Sequence, residues 1–458
     1  MIDLNKKTIH GLFIVIHLLL GVAGNFAPSV PGYFYLGITV IFILDIIISK
    51  DTGFKAGFYA LYVIGFEIVY RISGANIAWE AGKYFSLMII VIGLIINQRK
   101  RFSWTFLFLL FLLLPALLLT KHPDPEEVRN MIVFNFLGPL SLVLSGMYFY
   151  KASVQKSTYV NGLRFAFLPA FALVVVISLK SGLGELQFTS VESNPEAAGG
   201  FGANQVSTAL GWFLVLVLLF RIRGLRISLY GWLDWVMITL LLIRGLVTLS
   251  RGGMMAAFIS LLVAIMVLLV YERSFRVKTR RMMPYIIVGL FFMLGVVWYT
   301  NKLTNNFLLY RYMGVSTNEL QTGIPADDKN YLTGRGDIMK GDFLAFQKYP
   351  IFGVGYGMAA KWHAVYYGRP AAAHTEYSRL LSEHGILGLI FIVIAFLGLP
   401  ALFFHRLTGA VSRAFFAAFL LVSMLTMFHA AMRLAIPGIL YGFSFMYSGL
   451  DRKNGLKG

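Results

Sequence analysis

Long apolar runs separated by short polar intervals fill most of the chain. Runs of about 16–22 residues fall near 9–27, 32–49, 56–72, 82–97, 103–120, 131–150, 164–180, 206–220, 229–249, 252–271, 284–300, 385–404, 414–430 and 434–450. Each approaches the ~20 residues that an α-helix needs to cross the hydrocarbon core of a bilayer. Because Gly or Pro interrupts several runs, the pattern predicts an all-α polytopic membrane protein of about 12–14 transmembrane helices. One polar interval breaks the rhythm, residues 301–384. Inside it Ile338, Met339, Phe343 and Phe346 recur every three to four residues, which predicts a short amphipathic helix on the membrane surface, stopped by Tyr349–Pro350. The chain then divides into N-terminal spans (1–180), spans with the polar loop 181–205 (181–300), the large loop (301–384) and C-terminal spans (385–458).

Composition agrees with this pattern. Of 458 residues, 58% are hydrophobic and 13% charged, against about 25% charged in soluble domains. The net charge of +19 would suggest nucleic acid in a soluble protein, but here the cations sit in short loops between apolar runs, so no nucleic-acid partner is expected. With the N-terminus inside, the inner loops hold Lys6–Lys7, Arg99–Lys100–Arg101, Arg221/Arg223/Arg226, Arg273/Arg276/Lys278/Arg280/Arg281 and Arg452–Lys453. The alternate short loops carry few basic residues, so one register satisfies the positive-inside rule with both termini cytoplasmic. Loop 181–205, the turn at Ser250–Arg251 and loop 301–384 then share the outer face. The N-terminal run reads as a retained first span. The chain has no cysteine, which excludes disulfides and thiol catalysis.

Candidate chemistry gathers on that outer face. Arg244 and Arg251 are seven residues apart, about two turns, so an unbroken helix would place them on one face about 10 Å apart. Guanidinium groups fork onto phosphate oxygens. Arg335 is a third candidate. The alternatives are that Arg251 snorkels to the surface and that Arg244 pairs with Asp45 or Glu67. His374, just before a span, could take a proton from a sugar hydroxyl; position alone leaves His363 and His384 as equal competitors, while His17 and His429 read as structural. The glycines of IFGVGYGM read as a tight turn permitting close backbone approach, not as a nucleotide loop. Loop 181–205 ends in a Gly/Ala-rich stretch before Asn204 and Gln205, which suits a segment folding over a site and equally an ordinary loop. Asp337, Asp342 and Glu383 are not spaced as metal ligands, so no metal is expected.

Three motifs resemble the O-antigen ligase and O-antigen polymerase superfamily of bacterial integral membrane glycosyltransferases. They are T-x-S-R-G-G (Thr248, Ser250 to Gly253), T-G-R with P-I-F-G-V-G-Y-G (Thr333 to Arg335, Pro350 to Gly357), and H-T-E-Y-x-x-L-L-x-E-x-G-I-L-G-L (His374 to Leu389). GGFGANQVSTA is similar to the family's Gly-Asn segment, and the motifs cover about 199–405. The family pattern usually has Asn after the histidine, where this chain has Thr375.

The resemblance implies a GT-C-like membrane fold in the bacterial inner membrane with a periplasmic active site. It implies transfer of a glycan from an undecaprenyl-diphosphate carrier to an acceptor hydroxyl, with inversion and without metal or other cofactor. The acceptor is lipid A-core in ligases, a second lipid-linked glycan in polymerases and a protein side chain in related oligosaccharyltransferases; ligase is the preferred reading. Carried over by motif, Arg251 and Arg335 would bind the diphosphate and His374 would be the base or orient the acceptor. Arg244 joins them from helical spacing and Asn204 from its loop position. His363, Glu383 and Tyr377 are further candidates for glycan or acceptor contacts. A diphosphate leaving group needs no protonation, so one base suffices, unlike the carboxyl pair of glycoside hydrolases. A transporter or flippase is the competing class, but no internal repeat is visible and the polar residues gather at one face, away from the midplane. A non-catalytic scaffold is the remaining alternative.

Overall fold

The computed structural model describes residues 6–75, 77–97, 103–281, 283–322 and 335–451. The expected inner cations Arg99, Lys100, Arg101, Arg452 and Lys453, and Thr333 and Gly334 of the second motif, lie outside the described residues. The described chain is helical, and eight of its helices are long and apolar enough to cross a membrane: Lys6–Phe26, Ser29–Ser49, Pro125–Phe149, Lys156–Lys180, Ala203–Ile222, Arg251–Tyr271, Ile386–Arg406 and Ala410–Ala430. Shorter apolar helices are Ala81–Ile96, Trp104–Leu119 and Ile287–Leu303.

The protein is therefore an all-α polytopic membrane protein, but fewer helices meet the length and apolarity of a span than the 12–14 expected. The physical reasons are visible in the remaining runs. Lys55–Ser73 is 19 residues long and carries Lys55, Glu67 and Arg71. Gly231–Val247 carries Asp234 and Arg244, and the run 434–450 forms only the nine-residue helix Ile436–Ser444.

Lys55–Ser73 is almost entirely buried and packs against the first two helices and against Ala81–Ile96 and Lys156–Lys180. The first two helices leave rows of large apolar side chains uncovered, among them Leu12, Leu19, Ile41 and Ile48; faces of that kind are costly in water and at home in lipid. Small residues let helices approach elsewhere. Arg251–Tyr271 lies against Ala203–Ile222 and Ala410–Ala430, and a Cβ on Gly253 would sit 2.3 Å from the Ser207 carbonyl carbon. Gly253→Ala should therefore force these helices apart, at about 1–3 kcal/mol for an overpacked contact. Thermal unfolding should show a lower melting temperature for that variant and none for Gly289→Ala, whose Cβ would meet nothing within 4 Å; equal melting of the two would refute the packing argument.

Polar contacts tie the connections to one another. Asn97 donates to Asp51 at 2.7 Å, Arg223 pairs with Glu272 at 2.7 Å and Ser412 bonds Asp451. The Asn194 amide donates to the Thr248 carbonyl at 2.8 Å, the Val191 amide to Thr317 at 3.3 Å and the Tyr356 amide to Thr120 at 2.8 Å. Five helices belong to the described part of the large loop: Phe307–Tyr312, Thr317–Thr322, Arg335–Lys348, Ala360–Tyr367 and Glu376–His384. A helix does form at the expected place, Arg335–Lys348, and ends just before Tyr349–Pro350, but it is not the amphipathic surface helix that the apolar spacing suggested. Its buried face differs from the expected one: Ile338, Gly341, Asp342 and Ala345 point inward, while Phe343 is exposed. Polar contacts decide this, because Asp342 accepts hydrogen bonds from Ser378 at 2.6 Å and Ser382 at 2.8 Å and contacts His363 at 2.9 Å.

Candidate functional site

The site is built around the start of the Arg251–Tyr271 helix. Thr248 closes the preceding helix, Leu249 takes a left-handed φ of 53°, and Ser250 is extended before the new helix begins. The Ser250 hydroxyl donates to Asn204 Oδ1 at 2.7 Å and accepts from Ser207 at 2.9 Å, which anchors the turn to the Ala203–Ile222 helix. Gly252 makes room for His429, whose ring would lie 2.2 Å from a Cβ there. The T-x-S-R-G-G motif is thus a packing device that aims Arg251 outward, at a helix N-terminus whose partial positive charge favours an anion.

Three further arginines reach the same place from distant segments. Arg251 donates to the Arg311 carbonyl at 2.8 Å. The charges of Arg251 and Arg335 both act on Arg311, and burial together with those neighbours lowers its hold on its proton, opposed by Glu192. Burial and then Arg251 lower Arg335 in the same sense. Arg433 is lowered by burial and then by Arg335 and Arg379. A guanidinium keeps its proton at neutral pH regardless, so these directions describe a crowded cationic site that an anion would relieve. Among the described residues Arg311, Arg335 and Arg433 form no salt bridge.

His374 lies at this cluster. Its buried Nδ1 has no hydrogen-bond partner in the protein. Burial, then Arg433, Arg335 and His363, push its pKa down to about 3, so the ring is neutral at physiological pH. The stability tied to this group is complete above the unfolded value of about 6.5 and is lost as pH falls toward about 3, because the unfolded chain takes up the proton first. Thr375, in the place of the family's usual Asn, caps the Glu376–His384 helix without a side-chain bond, and its hydroxyl is buried without a partner.

Arg433 stands on the turn after the Ala410–Ala430 helix, and two buried carboxylates hold that turn. Glu376 accepts from the Met432 amide at 3.2 Å and Glu67 from the Ala435 amide at 3.2 Å. Just before these two amides Ala431 has φ 51° and ψ −153°, a sparsely populated backbone region that costs an L-residue about 1–3 kcal/mol. Arg433 then reaches back to the Ala373 carbonyl at 3.3 Å, one residue before His374.

Several sequence candidates have structural partners instead. Arg244 does not share a face with Arg251, because the helix breaks at Leu249; it donates to the Ser181 carbonyl at 2.7 Å. Neither suggested carboxylate pairs with it: Asp45 binds Lys55 and Tyr59, and Glu67 binds Arg71. His363 has both ring nitrogens engaged, by Asp342 and the Ala371 carbonyl; burial would lower it, but Asp342 raises it overall. Glu383 accepts from the Gly357 amide at 2.7 Å and fixes the Gly353–Gly357 turn, and burial raises its carboxyl to about 7 against Arg379 and that amide. Tyr377 donates to the Met424 carbonyl at 2.9 Å. His384 is buried edge-on against Tyr356. Asn204 acts through Ser250. The glycines at 353, 355 and 357 all have φ between 70° and 90°; Gly353 brings backbone against the 376–384 helix and Gly355 against the end of the Trp104–Leu119 helix, the close backbone approach expected of that turn.

Sequence reasoning missed Arg311 and Arg433 and set His429 aside. Arg433 did leave a signal, being a lone cation in the short interval between the last two apolar runs, which the expected register puts on the side where the positive-inside pattern has few.

Residues 235–393 match the family model described as O-Antigen ligase, a narrower stretch than the 199–405 covered by the motifs. The matched stretch contains Arg251, Arg311, Arg335 and His374 and excludes Asn204 and Arg433. No curated protein matches the chain. Over that stretch the chain carries a domain of the O-antigen ligase and polymerase superfamily, set in an all-helical membrane protein.

Proposed function

We propose that the chain moves a glycan from an undecaprenyl-diphosphate carrier to an acceptor hydroxyl at the periplasmic face of the bacterial inner membrane, as an O-antigen ligase acting on lipid A-core. The observation that carries this reading is the convergence of Arg251, Arg311, Arg335 and Arg433 beside His374. Four fixed cations in one place suit the two phosphates of the donor and the charge that grows on them as the sugar leaves. In the step, the bond from the sugar's anomeric carbon to the diphosphate breaks and its electron pair stays on the diphosphate. The acceptor oxygen bonds to that carbon from the opposite side, which inverts it, and His374 accepts the acceptor's proton.

Without donor, burial and then the neighbouring arginines make His374 a weak base. A bound diphosphate offsets the arginines' share of that effect and raises the imidazole's pKa. Donor binding therefore prepares the base.

The test uses purified protein in nanodiscs with lipid-linked glycan and two acceptors, lipid A-core and a second lipid-linked glycan. Product on lipid A-core is expected; elongation of the second lipid alone would make the protein a polymerase. His374→Ala should cut transfer by about 10²–10⁴-fold, the range of general-base catalysis, while donor still binds. In the wild type the acid limb of kcat should lie at higher pH than that of kcat/KM, since the first reports the donor complex and the second the free enzyme. Full turnover by His374→Ala would remove its role.

A further inference from the structure

Beside the arginine cluster lies an open cavity of about 460 Å³, within the range of small-molecule sites. Arg251 and Arg311 form one wall. Glu192 of loop 181–205 forms a second, and Thr317, Asn318 and Gln321 a third. The walls are tied together. The Val191 amide donates to Thr317, and Ser316 and Glu319 cap each other's amides at 3.3 and 3.1 Å in a reciprocal box that sets the start of the short helix. The Asn194–Thr248 bond holds the loop to the turn that carries Arg251.

Carboxylate, amide, hydroxyl and guanidinium groups line the cavity together with apolar surface from Val191 and Val315. A carboxylate such as Glu192 repels a second anion. A ligand rich in hydroxyls can use every one of these groups, since a hydroxyl donates to carboxylate and amide oxygens and accepts from amide and guanidinium N–H groups.

We infer that this cavity is the subsite for the donor sugar next to the diphosphate, with Glu192, Asn318 and Gln321 as its specificity-determining contacts. The inference rests on the reading in which the arginines hold the diphosphate: Arg251 and Arg311 belong to both, so a sugar attached to the bound phosphate enters the cavity directly. Loop 181–205 thereby contributes a side chain to the site.

The experiment compares two probes bound to the full-length protein in nanodiscs, undecaprenyl diphosphate and undecaprenyl-diphosphate-linked N-acetylhexosamine. The double variant Asn318→Ala/Gln321→Ala should bind the glycosylated lipid about tenfold more weakly, the loss of one or two net hydrogen bonds, and the bare lipid as wild type does. Glu192→Gln should show the same selectivity. Unchanged binding of the glycosylated lipid, or an equal loss for both lipids, would overturn the subsite. Arg311→Ala separates this from the underlying reading. If it weakens both lipids while the double variant weakens neither, the diphosphate site stands and the sugar subsite falls. If it binds both lipids as wild type does, the diphosphate reading falls, and the subsite with it.

Discussion

Replacing Arg335 by Ala should lower glycan transfer by about 10²–10³-fold, the cost of removing one preorganised donor from a developing anion. The charge of Arg335 acts on Arg311, Arg433 and His374, and Arg251 acts on Arg335 in turn. Arg335 is also the first residue of its helix, so its loss leaves the fold's buried face of Ile338, Asp342 and Ala345 untouched. The variant should therefore melt as wild type does. Arg335→Lys should recover part of the activity, because the charge returns without the forked geometry. Measured kcat/KM with purified lipid-linked donor decides the matter; a variant within a factor of two of wild type would exclude Arg335 from the donor site.

The second large effect concerns stability. Arg379 is buried between Glu376, Glu383 and Asn135. Removing one member of such a group leaves the others charged and unpaired, which costs about 3–5 kcal/mol. Arg379→Met should thus unfold at markedly lower temperature. The double variant Arg379→Met/Glu376→Gln should regain part of the loss, as the uncompensated carboxylate is neutralised while its oxygen can still accept from the Met432 amide. Additive losses in the two changes would show that the pair is not coupled.

The membrane class was legible because hydrocarbon tolerates few alternatives to long apolar helices. The gathering of Arg251, Arg335 and His374 was legible through motifs. The Arg244–Arg251 pairing was not, because the break at Leu249 carries no glycine or proline to announce it. Arg311 and Arg433 were hidden for another reason: the Arg251 side chain reaches the Arg311 carbonyl and the Arg433 side chain the Ala373 carbonyl, each 60 residues away, and no spacing rule encodes such a contact. The same holds for His363, whose lone appearance in a polar loop concealed a ring saturated by Asp342 and Ala371.

The clamp on the 431–435 turn bears on how the enzyme is made. Glu67 and Ala435 are separated by 368 residues, and Glu376 and Met432 by 56. A nascent chain threaded only as far as Ala430 has its early helices in place but no fourth guanidinium and no brace for the segment before His374. Under the proposed reading, the site is then complete only once the 431–435 turn has been made, and a shorter nascent chain would leave the donor lipid untouched.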